Sequence, residues 1–138
     1  MAAIKYLLDT NICIYIAKHN PPSVKQRFLE CYASTLAMSV ITYGELCFGA
    51  EKSQNPAQTR EIVDRLAEVI RVEPITTEVS IHYGEIRAQL QKTGSIIGNN
   101  DLWIAAHARA NGWTLVSNNL REFERVAGLT LENWATRP

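Results

Sequence analysis

Short apolar runs alternate with amphipathic stretches of ten or more residues along the whole chain, and that alternation limits its fold more than any other feature. Residues 4–8 are apolar apart from Lys5 and predict a first strand. It stops at Asp9-Thr10-Asn11, a cluster that commonly opens a helix, here expected to run to about Lys18. Pro21-Pro22-Ser23 predicts a second helix to about Tyr32, because proline is tolerated in a first turn and Val24, Phe28 and Cys31 share one face. Residues 35–40 predict the second strand and residues 41–52 a helix. Asn55-Pro56 starts another, with Ile62, Leu66 and Val69 inside and Glu61 and Arg65 placed to pair outside. A third strand is expected at 72–75. Val79, Tyr83, Ile86 and Leu90 then mark an amphipathic helix ending near Gly94. Asn99-Asn100-Asp101 opens a helix to Asn111-Gly112, followed by a strand at 113–117, a short helical turn and an edge strand at 129–131. Strands joined by such helices favour right-handed crossovers and a mainly parallel sheet covered on both faces. The expected fold is therefore a three-layer α/β/α sandwich.

The 138 residues, 46% apolar and 20% charged, correspond to one domain over 1–138, with no low-complexity tract, repeat or linker. Fourteen basic against fourteen acidic side chains cancel. A strongly basic nucleic-acid or membrane binder is thereby excluded, and any polyanion must be held by local patches. The longest apolar stretch, residues 12–17, falls far short of the roughly 20 residues that span a bilayer, and residues 1–6 lack a signal-peptide pattern. No membrane partner and a cytoplasmic location are expected. Cys13, Cys31 and Cys47 are odd in number and widely spaced, so they are read as small core residues.

Position singles out three acids. Parallel sheets bind ligands beyond the carboxyl ends of their strands, which is where Asp9 stands; it serves equally as a helix N-cap. Glu45 is an acid inside the apolar segment 40–48, although Thr42 and Glu45 also have capping-box spacing. Asp101 either caps its helix or sits in the first turn, facing the positive end of the dipole. In a parallel sandwich all three would meet at one sheet edge. Carboxylates gathered there repel and raise one another's pKa unless a hard cation neutralises them, so Mg²⁺ or Mn²⁺ is the fitting occupant. Mg²⁺ takes only one or two carboxylates directly and keeps several waters, leaving a water as nucleophile and a place for a phosphate oxygen. Phosphate-loop, dinucleotide and hydrolase-elbow glycine motifs are absent, and His19, His82 and His107 never reach zinc-site spacing. Trp103, Trp113 and Trp134 are assigned to the core or an interface.

Four segments in order resemble the PIN-domain ribonucleases, and within them the VapC toxins of toxin–antitoxin pairs. They are Leu7-Leu8-Asp9-Thr10-Asn11-Ile12; residues 39–49 around Glu45; Ile97-Gly98-Asn99-Asn100-Asp101-Leu102-Trp103-Ile104-Ala105; and residues 116–129 with Asn118, Asn119 and Glu122. The resemblance runs the length of the chain. It implies a metal-dependent endoribonuclease with Asp9, Glu45 and Asp101 as metal-site acids. Asn119 stands near where many of the family carry a fourth acid, and Glu122, three residues on, either reaches the site or caps the next turn. Thr10, Asn11, Asn100, Ser117 and Asn119 resemble residues that support the metal shell, or else make local turn bonds.

The resemblance further implies that a metal-activated water attacks an RNA phosphodiester to leave 5′-phosphate and 3′-hydroxyl ends, often in a tRNA anticodon stem-loop. A homodimer is implied too, with a VapB-type antitoxin that sends a basic residue into the acidic pocket and covers apolar surface on helix 12–16 and the helix pair at 48–66. Lys18, Lys25, Arg27, Arg87, Lys92 and Arg109 are the candidate RNA phosphate contacts, against simple solvation of each. Two alternatives remain open: a small Asp-dependent phosphatase or phosphotransferase, because Asp9-Thr10-Asn11 resembles a DxD loop lacking its second acid, and a non-catalytic binding module whose acids are only caps.

Overall fold

A computed structural model describes residues 3–135. Five strands, β1 (Tyr6–Leu8), β2 (Leu36–Ser39), β3 (Arg71–Glu73), β4 (Thr114–Val116) and β5 (Leu131–Glu132), form one sheet in the order β3-β2-β1-β4-β5, and every pairing is parallel. Helices α1 (Thr10–Lys18) and α2 (Pro22–Glu30) lead from β1 to β2. The next crossover uses α3 (Val40–Glu51) and α4 (Pro56–Val69), and the third α5 (Thr77–Lys92) and α6 (Asn99–Asn111). The short α7 (Leu120–Phe123) links β4 to β5. The expected α/β/α sandwich is thus the observed one.

The period-two alternation of strand side chains divides the interior into two cores. Tyr6, Leu8, Leu36, Met38 and Val116 face a layer built on α1 to α4, while Leu7, Ala37 and Leu115 face α5 to α7. The strands read as continuous apolar runs because both faces are covered.

Three boundaries move for local reasons. Val40 belongs to α3 rather than to the second strand, since the Ser39 hydroxyl caps that helix by accepting from the Ile41 N–H at 3.1 Å. The third strand begins at Arg71 and ends at Glu73, and the last is Leu131–Glu132 instead of 129–131. On α4 the buried row is Val63 and Leu66; Ile62 and Val69, expected inside, are 43% and 45% exposed. The polar face does carry the Arg65–Glu61 pair, at 2.7 Å. Gly112, at φ 68°, ends α6 in a left-handed turn that a side chain would strain.

The chain progresses β1-β2-β3 to one side and then returns to place β4 on the other side of β1. That reversal opens a crevice beyond the carboxyl ends of β1 and β4, the usual ligand position in an open parallel sheet. Leu8 is in register with Val116, so Asp9 and Ser117 leave the sheet side by side, with the Asp9 N–H bonded to the Val116 carbonyl at 3.0 Å.

Candidate metal centre

Asp9 occupies the floor of the crevice, 6% exposed. It does cap α1, its carboxylate accepting from the Ile12 N–H at 3.0 Å. Capping uses one oxygen lone pair, so the functional reading survives beside it. Burial raises the Asp9 pKa above the ordinary carboxylate range, and the charge of Glu45 adds to the rise. Hydrogen bonds from the Ser117 hydroxyl and from the Ile12 and Asn11 backbone N–H groups work the other way. Ser117 also accepts from the Asn119 N–H at 2.9 Å, so one buried hydroxyl ties the end of β4 to the acid.

Glu45 lies within α3, not at its start. Ser39 is the cap and Thr42 is a buried residue of the helix, so the capping-box reading of Thr42 and Glu45 falls. The Glu45 carboxylate instead accepts a short hydrogen bond from the Thr10 hydroxyl, with the Thr42 hydroxyl 3.4 Å from the Thr10 oxygen. A contact across 35 positions of sequence fastens α3 to α1 at the mouth of the crevice.

Asp101 is not a cap either: Gly98 holds that position, and Asp101 is the acid of the first turn of α6. Its pKa is pushed up to about 7, first by burial, then by a hydrogen bond and charge repulsion from Glu122, and further by the charges of Glu45 and Asp9. Glu122, in the first turn of α7, thus stands beside Asp101. Its Oε2 is buried without a hydrogen-bond partner.

Asp9, Glu45 and Glu122 thus all act on Asp101, and Glu45 on Asp9, from four elements. Among the described residues no three His, Cys, Asp or Glu side chains form a ready-made cage around an ion. Such a cage is not what Mg²⁺ requires, since it takes one or two carboxylates directly and meets others through its waters. An orphaned buried carboxylate oxygen, a carboxyl whose pKa is lifted by three neighbouring acids and an all-oxygen donor set fit a hard divalent cation.

The supporting residues divide. Thr10 and Ser117 bond directly to site acids; Asn11 is exposed and reaches Asp9 only through its backbone; Asn100, also exposed, lines the groove beside Glu45; Asn119 caps α7 with no side-chain bond of its own. Asn118, next to these, binds the Tyr15 hydroxyl at 2.8 Å and keeps its buried Oδ1 unpaired. Of the candidate cations, Arg27 and Arg109 are committed elsewhere. Arg27 pairs with Glu132 at 2.9 Å, and Arg109 binds Glu85 and His82 at 2.9 and 2.8 Å, so both hold the fold together. Lys18 lines a groove with Glu45, while Arg87 stands on the Tyr83 hydroxyl at 2.8 Å. Lys25 and Lys92 are exposed on α2 and α5.

Among the tryptophans, Trp134 packs edge-on against Tyr6 in the core and Trp103 stacks on Tyr83 at 3.9 Å. His107 is a buried packing residue with Nδ1 2.9 Å from the Ser39 hydroxyl. Asn11 offers no second acid, so the phosphatase alternative lacks the partner carboxylate of its loop.

Residues 6–129 match the PIN domain model. Ribonuclease VapC2 of Haemophilus influenzae is 45% identical over 131 residues, 95% of this chain and 98% of that protein. The tRNA(fMet)-specific endonuclease VapC of Shigella flexneri is 42% identical over 132 residues, 96% and 99% of the two chains. The crystal structure of VapBC2 from Rickettsia felis, bound to a DNA fragment from its promoter, superposes with a TM-score of 0.87 at 40% identity, covering 95% of this chain and 99% of that one. With four acids at the crevice and relatives matched over nearly their full length, the chain belongs to the PIN-domain family, and within it to the VapC ribonucleases.

Proposed function

We propose that this chain is a Mg²⁺- or Mn²⁺-dependent endoribonuclease that cuts tRNA in the anticodon stem-loop and is restrained by a VapB-type antitoxin. The reading rests on one observation: Glu122, Glu45 and Asp9 gather round Asp101 beyond the carboxyl edge of β1 and β4, near enough for their charges to raise its pKa. When bound, the ion polarises a phosphate oxygen and acidifies a water. Asp9 and Asp101 are the acids that would hold it, with Glu45 and Glu122 acting directly or through water. Thr10 orients Glu45, and Ser117 fixes Asp9. The exposed Asn100 borders the groove into which a bent backbone would descend. An unpaired loop is the substrate such a crevice can admit, because its phosphates can be splayed into a cleft. The Shigella relative's named target makes tRNA(fMet) the first substrate to try.

The antitoxin reading draws on two further grooves. One of about 360 Å³ runs between α1 and α4, lined by Ile14, Leu46, Ile62 and Leu66 with Glu45 at its end; the next, of about 260 Å³, is lined by Ile16, Phe28 and Val69. An apolar segment lying there could place a basic side chain beside the acids. No helix among the described residues is long and apolar enough to cross a membrane. The test is purified chain with tRNA(fMet) and Mn²⁺. Cutting within the anticodon loop that stops with EDTA and in Asp101→Asn is the expected result, and unabated cutting in that folded variant would sink the assignment.

A further inference from the structure

Next to the apolar groove, and sharing Ile14, Glu45 and Gly49 with it, lies a wider one of about 730 Å³ lined also by Thr10, Asn100, Phe48 and Lys52. Its chemistry differs from that of its neighbour. Phe48 is 64% exposed, one helical turn beyond Glu45 on the same helix, and the Lys52 ammonium lies 5.1 Å from the centre of its ring. Lys52 follows the last residue of α3 and has no ion-pair partner among the described residues. At 1.5 Å per residue it stands about 10 Å along the helix from Glu45.

We propose that Phe48 and Lys52 form a subsite for one unpaired RNA nucleotide next to the scissile phosphate, the base stacking on Phe48 and its phosphate pairing with Lys52. An exposed aromatic ring and an uncommitted cation are the two elements that single-strand binding combines, since every base offers a π-face and every backbone a charge. Glu45 lines both grooves, but Thr10, Asn100 and the Phe48–Lys52 pair line this one and favour RNA, whereas the groove on the α4 side is lined chiefly by aliphatic side chains and suits a peptide. The subsite rests on the ribonuclease reading. It takes Phe48 out of the apolar surface that the sequence alone assigns to the antitoxin.

The test is steady-state cleavage of tRNA(fMet) and of a mixed-sequence single-stranded RNA by the full chain with Mn²⁺, comparing Phe48→Leu, Phe48→Tyr and Lys52→Gln. Phe48→Leu keeps apolar bulk and loses the ring, so KM should rise about tenfold with kcat little changed, and Phe48→Tyr should restore it. Lys52→Gln should flatten the slope of log KM against log salt by about 0.7. The melting temperature should stay put, as both side chains are exposed. An unchanged KM in Phe48→Leu, a Phe48→Tyr as impaired as the leucine variant, or a defect confined to antitoxin binding would overturn the subsite while leaving the nuclease intact. Native chain that cuts neither RNA, with Asp101→Asn binding neither, would instead overturn both readings.

Discussion

At the scale of single residues, the position of Asp101 matters more than its charge alone. Its carboxyl is lifted to about 7 by burial and by Glu122, Glu45 and Asp9, so the metal-free protein carries a cost that a cation removes. Asp101→Asn is expected to lower tRNA cleavage at least about 100-fold, as loss of a metal-shell group does. It should also raise the metal-free melting temperature at pH 8, which a thermal scan without added metal checks. His107 behaves in the opposite sense. It is 1% exposed and its pKa is lowered to about 4 by burial, so the folded state favours the neutral ring. An unfolded chain takes up that proton near pH 6.5 while the folded one resists until about 4, and stability is lost as pH falls through that interval, on the order of 3 kcal/mol. In His107→Gln the loss between pH 7 and pH 4.5, measured by urea unfolding, should shrink. Asp101 works against His107 over the same range, so the informative quantity is the difference between the two proteins. Asp9 was legible in sequence as a cap and Asp101 as the first-turn acid of α6, one of its two readings, while the capping-box spacing of Thr42 and Glu45 misled, because the cap of α3 is Ser39.

At the scale of elements, two hydroxyls set the helices that carry the acids. Ser39 ends β2, caps α3 and meets His107 of α6 at 2.9 Å, linking the helix of Glu45 to that of Asp101. Ser39→Ala should cost about 1–2 kcal/mol, read as a lower urea midpoint with unchanged slope. Thr10 joins α1 to α3 through Glu45. Thr10→Val keeps the shape and frees Glu45, so the Mn²⁺ concentration for half-maximal cleavage should rise about tenfold, and Thr10→Ser should restore it. Helical periodicity located α4 and its inward Leu66 in the sequence but put Ile62 and Val69 on the same inner face, where the structure buries Val63 instead. Periodicity gives a stripe and not the direction it faces. The exposed pair instead lines the grooves against α1.

For the whole molecule, the acids couple stability to pH and metal together. Asp101 has a folded pKa raised from 3.8 to about 7, so its contribution to metal-free stability is greatest below the lower value and is lost as pH rises through the upper one. A cation that binds only the native state reverses the decline. The rise in melting temperature on adding Mn²⁺ should therefore be larger at pH 8 than at pH 5.5, and should vanish in Asp101→Asn; an equal rise at both pH values would refute the coupling.

The alternation of strands and helices, the parallel sandwich and the placing of Asp9 and Asp101 where helices begin were all determined by the sequence itself, because backbone periodicity and turn chemistry are local. Only the tertiary structure brought Glu122 beside Asp101, set the Thr10 hydroxyl on Glu45 and paired Arg27 with Glu132 and Arg109 with Glu85. Those contacts join residues 24 to 105 positions apart in sequence, except the one across 21 positions between Asp101 and Glu122. Local pattern carries no information about such meetings; sheet order does.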